Sequence, residues 1–167
     1  IGDTLPLLLA YKADVVLSSE FTERRVHISD FIEGYRKTGI APDELITAVL
    51  IPKPAETVVI RSYKVSKRKD LDISTVSGGF SLMLENEQVQ KIILAFGGMA
   101  DMPKRASETE KFLTGKPWTR ANIEHALKIL GNEFTPLSDA RAGAEYRNLV
   151  ARNLLLKFFT ETSTPGL

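Results

Sequence analysis

The chain has 167 residues, of which 43% are hydrophobic and 26% are charged, as is ordinary for one globular domain or two small lobes. Its formal net charge of +1 provides no field that would hold a nucleic acid or an anionic membrane surface, so neither is expected as a partner. The lack of cysteine excludes disulfides, thiolate catalysis and cysteine-ligated zinc or iron–sulfur clusters from this chain.

The first fifty residues predict one helix, three short strands and a helical turn. Asp3-Thr4-Leu5-Pro6 is typical of a helix start and leads into Leu7–Tyr11. Asp30 is expected to cap a helical turn at Phe31–Tyr35. Because the chain starts at Ile1 on a turn signal, a preceding segment is expected to be missing. The β-rich runs are Asp14–Ser18, Arg24–Ile28 and Leu45–Ile51.

Two prolines in Pro52-Lys53-Pro54 block a helix and favour extended backbone, so the chain is divided there into two lobes. We expect a first lobe at residues 1–56, a second at 57–161 and a frayed tail at 162–167. The longest apolar run, Leu5–Ala10, is too short to span a bilayer, and a cytoplasmic protein is expected.

The second lobe begins with three predicted strands, Val58–Val65, Gly79–Leu84 and Val89–Phe96. The turn Glu85-Asn86-Glu87 makes the last two an antiparallel hairpin. In the third strand, Ile92, Leu94 and Phe96 share one face, and Lys91, Ile93 and Ala95 share the other.

Three predicted helices follow the strands. Ser107 and Glu110 have the spacing of a capping box for a helix that ends near Gly115. Thr119 is expected to cap the next helix, and Gly131 to end it. The last helix, about 142–161, carries the predicted buried stripe Tyr146, Leu149, Val150, Leu154, Leu155, Phe158 and Phe159. The fold class is therefore α+β, a three-stranded antiparallel sheet covered on one face by helices.

The residues alone indicate no complete catalytic site. The sequence has no Gly-x-Ser-x-Gly, no phosphate loop, no His-Glu-x-x-His and no Gly-x-Gly-x-x-Gly. The pairs Gly78-Gly79 and Gly97-Gly98 are more typical of close strand approach or a bulge than of a phosphate cradle.

Several ordered segments resemble the flavoprotein part of the molybdenum hydroxylases, which include xanthine dehydrogenases, aldehyde oxidases and carbon monoxide dehydrogenases. The segment Ser62–Val76 has the aromatic-Lys pair, basic cluster, acidic residue and Asp-Ile of that family. Ala95–Asp101 resembles the xanthine dehydrogenase version of a second segment, and Tyr35–Thr38 followed by Pro42–Ile46 resembles a third. Ile1-Gly2-Asp3 resembles the piece that follows the glycine-rich FAD loop. The resemblance implies that part of an α/β FAD-binding lobe precedes the α+β lobe.

By this resemblance, Asp3, Ile46 and Lys64 lie at the FAD site, and no residue of the chain makes or breaks bonds. Asp3 would accept a hydrogen bond from the flavin, or it simply caps the first helix. Ile46 would contact FAD, although its residue type alone indicates core. Lys64 would favour reduced, anionic flavin, although a lysine in a strand is more often a solvated residue.

The resemblance also places Tyr35, Asp70 and Leu71 near NAD. Lys67–Asp72 corresponds to a loop whose charges would steer the dinucleotide, or it is a solvated turn. Leu71 departs from the acidic residue of some animal members, which puts the NAD contacts in doubt. Tyr35 would lie near the nicotinamide, or it packs within its lobe.

The implied function is the FAD-binding portion of a xanthine dehydrogenase, which oxidises hypoxanthine or xanthine. Electrons would pass from two 2Fe-2S clusters through FAD to NAD, while other domains or chains bind those clusters and the molybdopterin cofactor. The expected assembly is a hetero-oligomer, and the isolated segment is expected to be inactive. The alternative is a non-catalytic assembly module of a related hydroxylase of the aldehyde oxidase or carbon monoxide dehydrogenase type.

Overall fold

The computed structural model describes residues 2–68 and 72–163, which form five helices and nine strands. The elements are α1 (Thr4–Tyr11), β1 (Asp14–Ser18), β2 (Glu23–His27), α2 (Ile28–Phe31), β3 (Ile32–Gly34), β4 (Lys37–Thr38), β5 (Leu45–Leu50), β6 (Val58–Val65), β7 (Val76–Glu85), β8 (Gln88–Gly97), β9 (Lys104–Arg105), α3 (Ser107–Leu113), α4 (Arg120–Glu133) and α5 (Ala144–Ser163). The largest sheet has four antiparallel strands in the order β6-β7-β8-β9. A second antiparallel sheet has the order β2-β1-β5, and β3 pairs with β4.

The predicted α+β class is confirmed, and the sheet gains the two-residue β9 as a fourth strand. The predicted β6 agrees with the structure at both ends, whereas β7 starts three residues earlier than predicted, at Val76. The added residues are Val76, Ser77 and Gly78, and a single apolar side chain among them does not give the apolar alternation by which a strand is recognised. Within the described parts of the chain, no helix combines the length and hydropathy needed to cross a membrane.

The large sheet is buried on both faces, so it forms the middle layer of the molecule. In β8, Leu94 and Phe96 join the apolar cluster beneath α3, α4 and α5. Ile93 and Ala95 join a second cluster with α1 and the small sheet. The two faces predicted for β8 are therefore correct, but helices cover both of them, because α1 packs on the face that the prediction left open.

Glycine in β7 permits the close contact between α1 and the sheet. A Cβ added to Gly79 would lie 2.2 Å from the carbonyl oxygen of Pro6 and 2.5 Å from the backbone nitrogen of Leu7. No side chain fits this space, so the helix backbone rests directly on the strand. The close approach predicted between strands at Gly78-Gly79 is found at Gly79 alone, and there it joins a helix to a strand.

Two predicted helix caps are wrong. His27 is the N-cap of α2 and its ring accepts a hydrogen bond from the Ser29 N–H, so Asp30 lies inside the helix. The predicted helical turn at Phe31–Tyr35 is replaced by β3, which pairs with β4. The cap is therefore an imidazole nitrogen three residues before Asp30, and it serves the Ser29 N–H at the start of α2.

The predicted capping box of α3 is also wrong, because its glutamate has other partners. The N-cap is Ala106, and no side chain caps it. Glu110 accepts from the Leu94 N–H at 2.7 Å and pairs with Arg105. Free N–H groups in the first turn of α3 instead donate to the Glu133 carboxylate. Glu133 is the last residue of α4, which is two residues longer than predicted from Gly131.

The buried stripe predicted for α5 is confirmed at Val150, Leu154, Leu155 and Phe158 and is wrong near the start of the helix. Tyr146 and Leu149, assigned to the buried stripe, are each 51% exposed, while Arg147 and Ala151 are buried. The Arg147 guanidinium donates to backbone carbonyl groups and to Asp139, which allows a charged side chain in the core. The helix continues to Ser163, and the predicted tail residues 164–167 lie outside the described residues.

We expect Gly79→Ala to destabilise the chain by at least about 2 kcal/mol, because the new methyl group must displace the α1 backbone. Urea unfolding followed by circular dichroism measures this change. The matched control is Gly131→Ala in α4, where the new Cβ makes only an ordinary contact with Arg152 at 3.5 Å. That control should stabilise the chain by about 0.5–1 kcal/mol, and equal effects of the two substitutions would contradict the packing argument.

Candidate functional site

Asp3, Lys64 and Ser74 form one hydrogen-bonded group, here called the Asp3 cluster. The Lys64 ammonium donates to Asp3 Oδ2 at 2.8 Å. The Ser74 hydroxyl donates to the other carboxylate oxygen, Oδ1. The structure therefore brings together the acid and the amine that the sequence resemblance assigned to one site, although 61 positions separate them.

The fold places the Asp3 cluster at one end of the large sheet. Asp3 directly precedes α1, which rests on β7, while Lys64 lies near the end of β6 and Ser74 just before β7. The N–H of Thr75 donates to the Val65 carbonyl at 2.7 Å, so Ser74 is held beside the end of β6. Tyr63 enters the helix-side core, and the alternation of the strand directs Lys64 to the α1 side.

The charges of the Asp3 cluster stabilise each other at a surface that solvent reaches. Burial raises the pKa of Asp3, but the hydrogen bonds from Lys64 and Ser74 and the Lys64 charge together lower it below its ordinary value of 3.8. The side chains of Lys64 and Asp3 remain 42% and 43% exposed. The cluster thus presents an ionised carboxylate and an amine that a ligand can contact.

The side chain of Asp3 does not cap α1. Asp3 occupies the N-cap position, but its side chain makes no capping hydrogen bond. Both carboxylate oxygens instead accept from Lys64 and Ser74. Of the two roles considered for Asp3, simple helix capping is wrong.

Tyr35 lies on the surface between two clefts. Its side chain is 69% exposed, and the Arg36 guanidinium lies over its ring, 5.3 Å from the centroid. One cleft, of about 320 Å³, is lined by Tyr35, Gly2 and Asp101 among others. The other, of about 530 Å³, is lined by Tyr35, Gly98, Asp101 and Arg147 among others. Tyr35 is therefore close to the segment Ala95–Asp101 and not packed within its lobe.

Ile46 lies on a different sheet from the Asp3 cluster. It lies in β5, an edge strand of the small sheet, opposite Leu17 of β1, and its side chain is 52% exposed. Its predicted core position is therefore wrong for this chain, and its contact with FAD stays a prediction. Asp70 and Leu71, predicted near NAD, lie outside the described residues.

The described residues of the loop that contains Lys67 are held by hydrogen bonds and an ion pair. Lys67 donates to the Ala140 carbonyl at 2.8 Å. Arg68 pairs with Asp72 at 3.4 Å, and the Arg68 N–H also donates to this carboxylate. Lys67 thereby connects the loop to residues 137–141, which border the larger of the two clefts near Tyr35.

The sequence analysis did not identify two residues of this region, Ser74 and Arg147. Ser74 is fully buried against Asp3, and Arg147, 2% exposed, donates to the carbonyl groups of Thr75 and Gly98. Arg147 also pairs at 2.7 Å with Asp139, whose pKa is about 2, because backbone N–H groups and Arg147 outweigh the effect of burial. A charged residue in the interior of a predicted apolar stripe was the one available signal for Arg147.

Two family models match the chain. The model described as CO dehydrogenase flavoprotein C-terminal domain matches residues 61–162, and FAD binding domain in molybdopterin dehydrogenase matches residues 1–54. The chain belongs to the FAD-binding part of the molybdenum hydroxylase family. The resemblance stated from the sequence segments is confirmed, and residues 55–60 separate the two matched ranges.

Curated relatives share about a third of their residues with the chain. It is 36% identical over 166 residues to a nicotinate hydroxylase of Emericella nidulans and 34% identical over 163 residues to a xanthine dehydrogenase of the same organism. It is 30% identical over 165 residues to xanthine dehydrogenase 1 of Arabidopsis thaliana. In each case the match covers 95% of this chain and only 12% of the relative.

Solved structures share the fold of this flavoprotein segment. The Cu,Mo-CO dehydrogenase in its cyanide-inactivated form matches with a TM-score of 0.84 and 27% identity, covering 93% of this chain and 54% of the other. Quinoline 2-oxidoreductase from Pseudomonas putida 86 matches with a TM-score of 0.84 and 21% identity, covering 96% and 55%. This second likeness shows the fold alone.

We expect Lys64→Met to lower the free energy of unfolding by less than about 1 kcal/mol, because exposed ion pairs contribute little. Since the pKa of Asp3 is lowered in the folded state, the contribution of the pair is present above the ordinary value of 3.8 and is lost as the pH falls through the folded pKa. Urea unfolding at pH 7 and pH 3 measures both effects. A loss of several kcal/mol at pH 7 would mean that Lys64 is a structural residue.

Proposed function

We propose that this segment forms one wall of the flavin site in a xanthine-dehydrogenase-type molybdenum hydroxylase and that the Asp3 cluster borders the isoalloxazine ring. The direct pairing of Asp3 with Lys64 at an accessible end of the sheet is the observation that carries this proposal. An exposed pair of this kind adds little to stability, so its carboxylate and ammonium can form hydrogen bonds with a ligand at little cost to the fold.

The groups of the Asp3 cluster fit a flavin. Each carboxylate oxygen has two lone pairs, so Asp3 can accept a ring N–H while it keeps its bonds to Lys64 and Ser74. Lys64 has further N–H donors for a ring carbonyl or nitrogen. Bound FAD would supply the two-electron chemistry, while these side chains would orient the ring and set its electrostatic environment.

The NAD site is proposed to lie beside Tyr35. The larger cleft next to it combines an exposed aromatic ring, the backbone of Gly98 and Ala100, and the side chains of Asp101 and Arg141. An aromatic face suits a nicotinamide ring, and an arginine suits phosphate oxygens. Asp70 and Leu71 are retained as proposed neighbours of NAD on the resemblance alone.

In the whole enzyme we place this segment between metal centres and NAD. A molybdopterin cofactor in another domain or subunit would supply the chemistry that oxidises hypoxanthine or xanthine. Two 2Fe-2S clusters, also bound elsewhere, would carry the electrons to FAD. The xanthine dehydrogenases among the relatives support this assignment, and the nicotinate hydroxylase at 36% identity makes a related heterocycle the main competing substrate. A cytoplasmic hetero-oligomer is part of the same proposal.

The second candidate function is an assembly module without a role at the flavin. The exposed apolar side chains of β5 and the residue after it favour a contact surface, with Leu45, Ile46 and Ile51 at 72%, 52% and 54% exposure. Ile46 would then contact another part of the enzyme instead of FAD. On this view, changes to the Asp3 cluster would leave the flavin unaffected.

We expect Asp3→Asn and Lys64→Met to lower the FAD content of the purified full-length enzyme and to change the midpoint potential of its flavin. Loss of the Lys64 charge should make the potential more negative by tens of millivolts, since about 30 mV corresponds to 1.4 kcal/mol for a two-electron couple. Absorbance and redox titration measure the two quantities.

Lys91→Met is the matched control, because Lys91 is an exposed lysine of β8 that faces the same side of the sheet. It should leave both FAD content and potential unchanged. Normal FAD content and potential in both cluster variants would refute the proposed flavin site, and impaired co-purification with the molybdenum-binding part would then favour the assembly module.

A further inference from the structure

Ser74 combines full burial with a hydrogen bond to a charged, partly exposed group. Its side chain has 0% relative exposure, and its hydroxyl donates to Asp3 Oδ1. Lys64 binds the opposite oxygen, Oδ2, at 2.8 Å. Two donors of different kinds therefore hold the carboxylate, one at a fixed buried site and one on a long side chain.

The backbone next to Ser74 is fixed by contacts from two elements, β6 and α5. The Thr75 N–H donates to the Val65 carbonyl at the end of β6, and the buried Arg147 of α5 donates to the Thr75 carbonyl. Arg147 also donates to the Gly98 carbonyl at 3.2 Å. The Ser74 hydroxyl is consequently a rigid donor, whereas the Lys64 ammonium can follow a ligand because its side chain is 42% exposed.

We propose that Ser74 is a positioning residue that fixes the orientation of the Asp3 carboxylate and disperses its charge, and so raises the reduction potential of the flavin. This inference rests on the proposed function of the Asp3 cluster. The hydrogen bond from the serine hydroxyl offsets part of the negative charge of the Asp3 carboxylate. More of the positive charge of Lys64 then acts on the flavin ring. Without the hydroxyl, Lys64 is drawn to Asp3, and the anionic reduced flavin loses stabilisation.

The test is Ser74→Ala in the full-length, FAD-loaded enzyme, with the flavin midpoint potential as the readout. We expect the reduction equilibrium to shift about tenfold towards oxidised flavin, which for two electrons is a potential about 30 mV more negative. Ser74→Thr keeps a hydroxyl donor and should restore most of the potential. If Ser74→Ala does not retain FAD, Ser74→Cys replaces it, because a thiol of similar size is a weaker donor and should shift the potential in the same direction.

Ser77→Ala is the structural control. Ser77 is also fully buried and close to the same end of the sheet, but its hydroxyl donates to the Gly2 backbone carbonyl at 3.4 Å and not to the Asp3 carboxylate. It should leave the potential unchanged. Equal shifts in Ser74→Ala and Ser77→Ala would show a general packing effect and overturn the proposal.

A double-mutant cycle with Asp3→Asn separates this inference from the proposed function. In the Asp3→Asn background, Ser74→Ala should produce no further shift, because Ser74 acts through that carboxylate. If Asp3→Asn and Lys64→Met change the potential but Ser74→Ala does not, the Ser74 inference alone fails. If none of the three changes FAD content or potential, the flavin site itself is wrong.

Discussion

The contact between the α1 backbone and Gly79 determines the geometry of the whole region. A Cβ at Gly79 would overlap the Pro6 carbonyl oxygen, so a side chain in this position of β7 would force α1 away from the sheet. Because α1 begins at Thr4, the packing of this helix on β7 also fixes the position of Asp3. A displacement of the helix would separate Asp3 from Lys64, which belongs to the adjacent strand. A packing constraint between backbones thus controls a polar cluster at the surface.

Arg147 supports the same end of the sheet from the opposite side. Its guanidinium binds the carbonyl groups of Thr75 and Gly98 and the carboxylate of Asp139, and so joins α5 to two loops and the start of β7. Nε of this buried side chain has no hydrogen-bond partner among the described residues, which adds a cost to its burial. The bonds from Nη1 and Nη2 offset that cost, since hydrogen bonds that involve a charged group are strong. The loops beside Ser74 and Tyr35 therefore share one anchor in the core.

The regular elements were predictable where apolar alternation was clear. The ends of β6 and the two faces of β8 follow directly from their residues, because apolar side chains of both strands pack against the core. The Thr119 cap of α4 was also predictable, and its side chain accepts from the Asn122 N–H. The other two predicted caps fail because His27 caps α2 in place of Asp30 and because Glu110 binds the distant Leu94 N–H. The predicted stripe of α5 omits Arg147, which finds buried carbonyl partners that lie 49 and 72 positions away. Local patterns carry no information on such distant partners.

The residues of the candidate site were also only partly predictable from the sequence. Asp3 and Lys64 came from a family resemblance, because an aspartate before a helix and a lysine in a strand are unremarkable by residue type. Ser74 was identified from the structure alone, since its sequence neighbours give no sign that its hydroxyl binds a carboxylate 71 positions earlier. Prediction from sequence thus identified the charged groups but not the neutral group that orients them.

The composition of the Asp3 cluster argues for a role beyond stability. An ion pair whose side chains are 42% and 43% exposed contributes at most about 1 kcal/mol, and salt weakens it further. Yet a fully buried hydroxyl is directed at this pair, and two backbone contacts fix its position. A protein surface that needed only solubility would leave both charges to water. An oriented carboxylate beside a mobile ammonium instead offers a fixed acceptor and an adjustable positive charge, which is the combination that a ring taking up two electrons and becoming anionic requires.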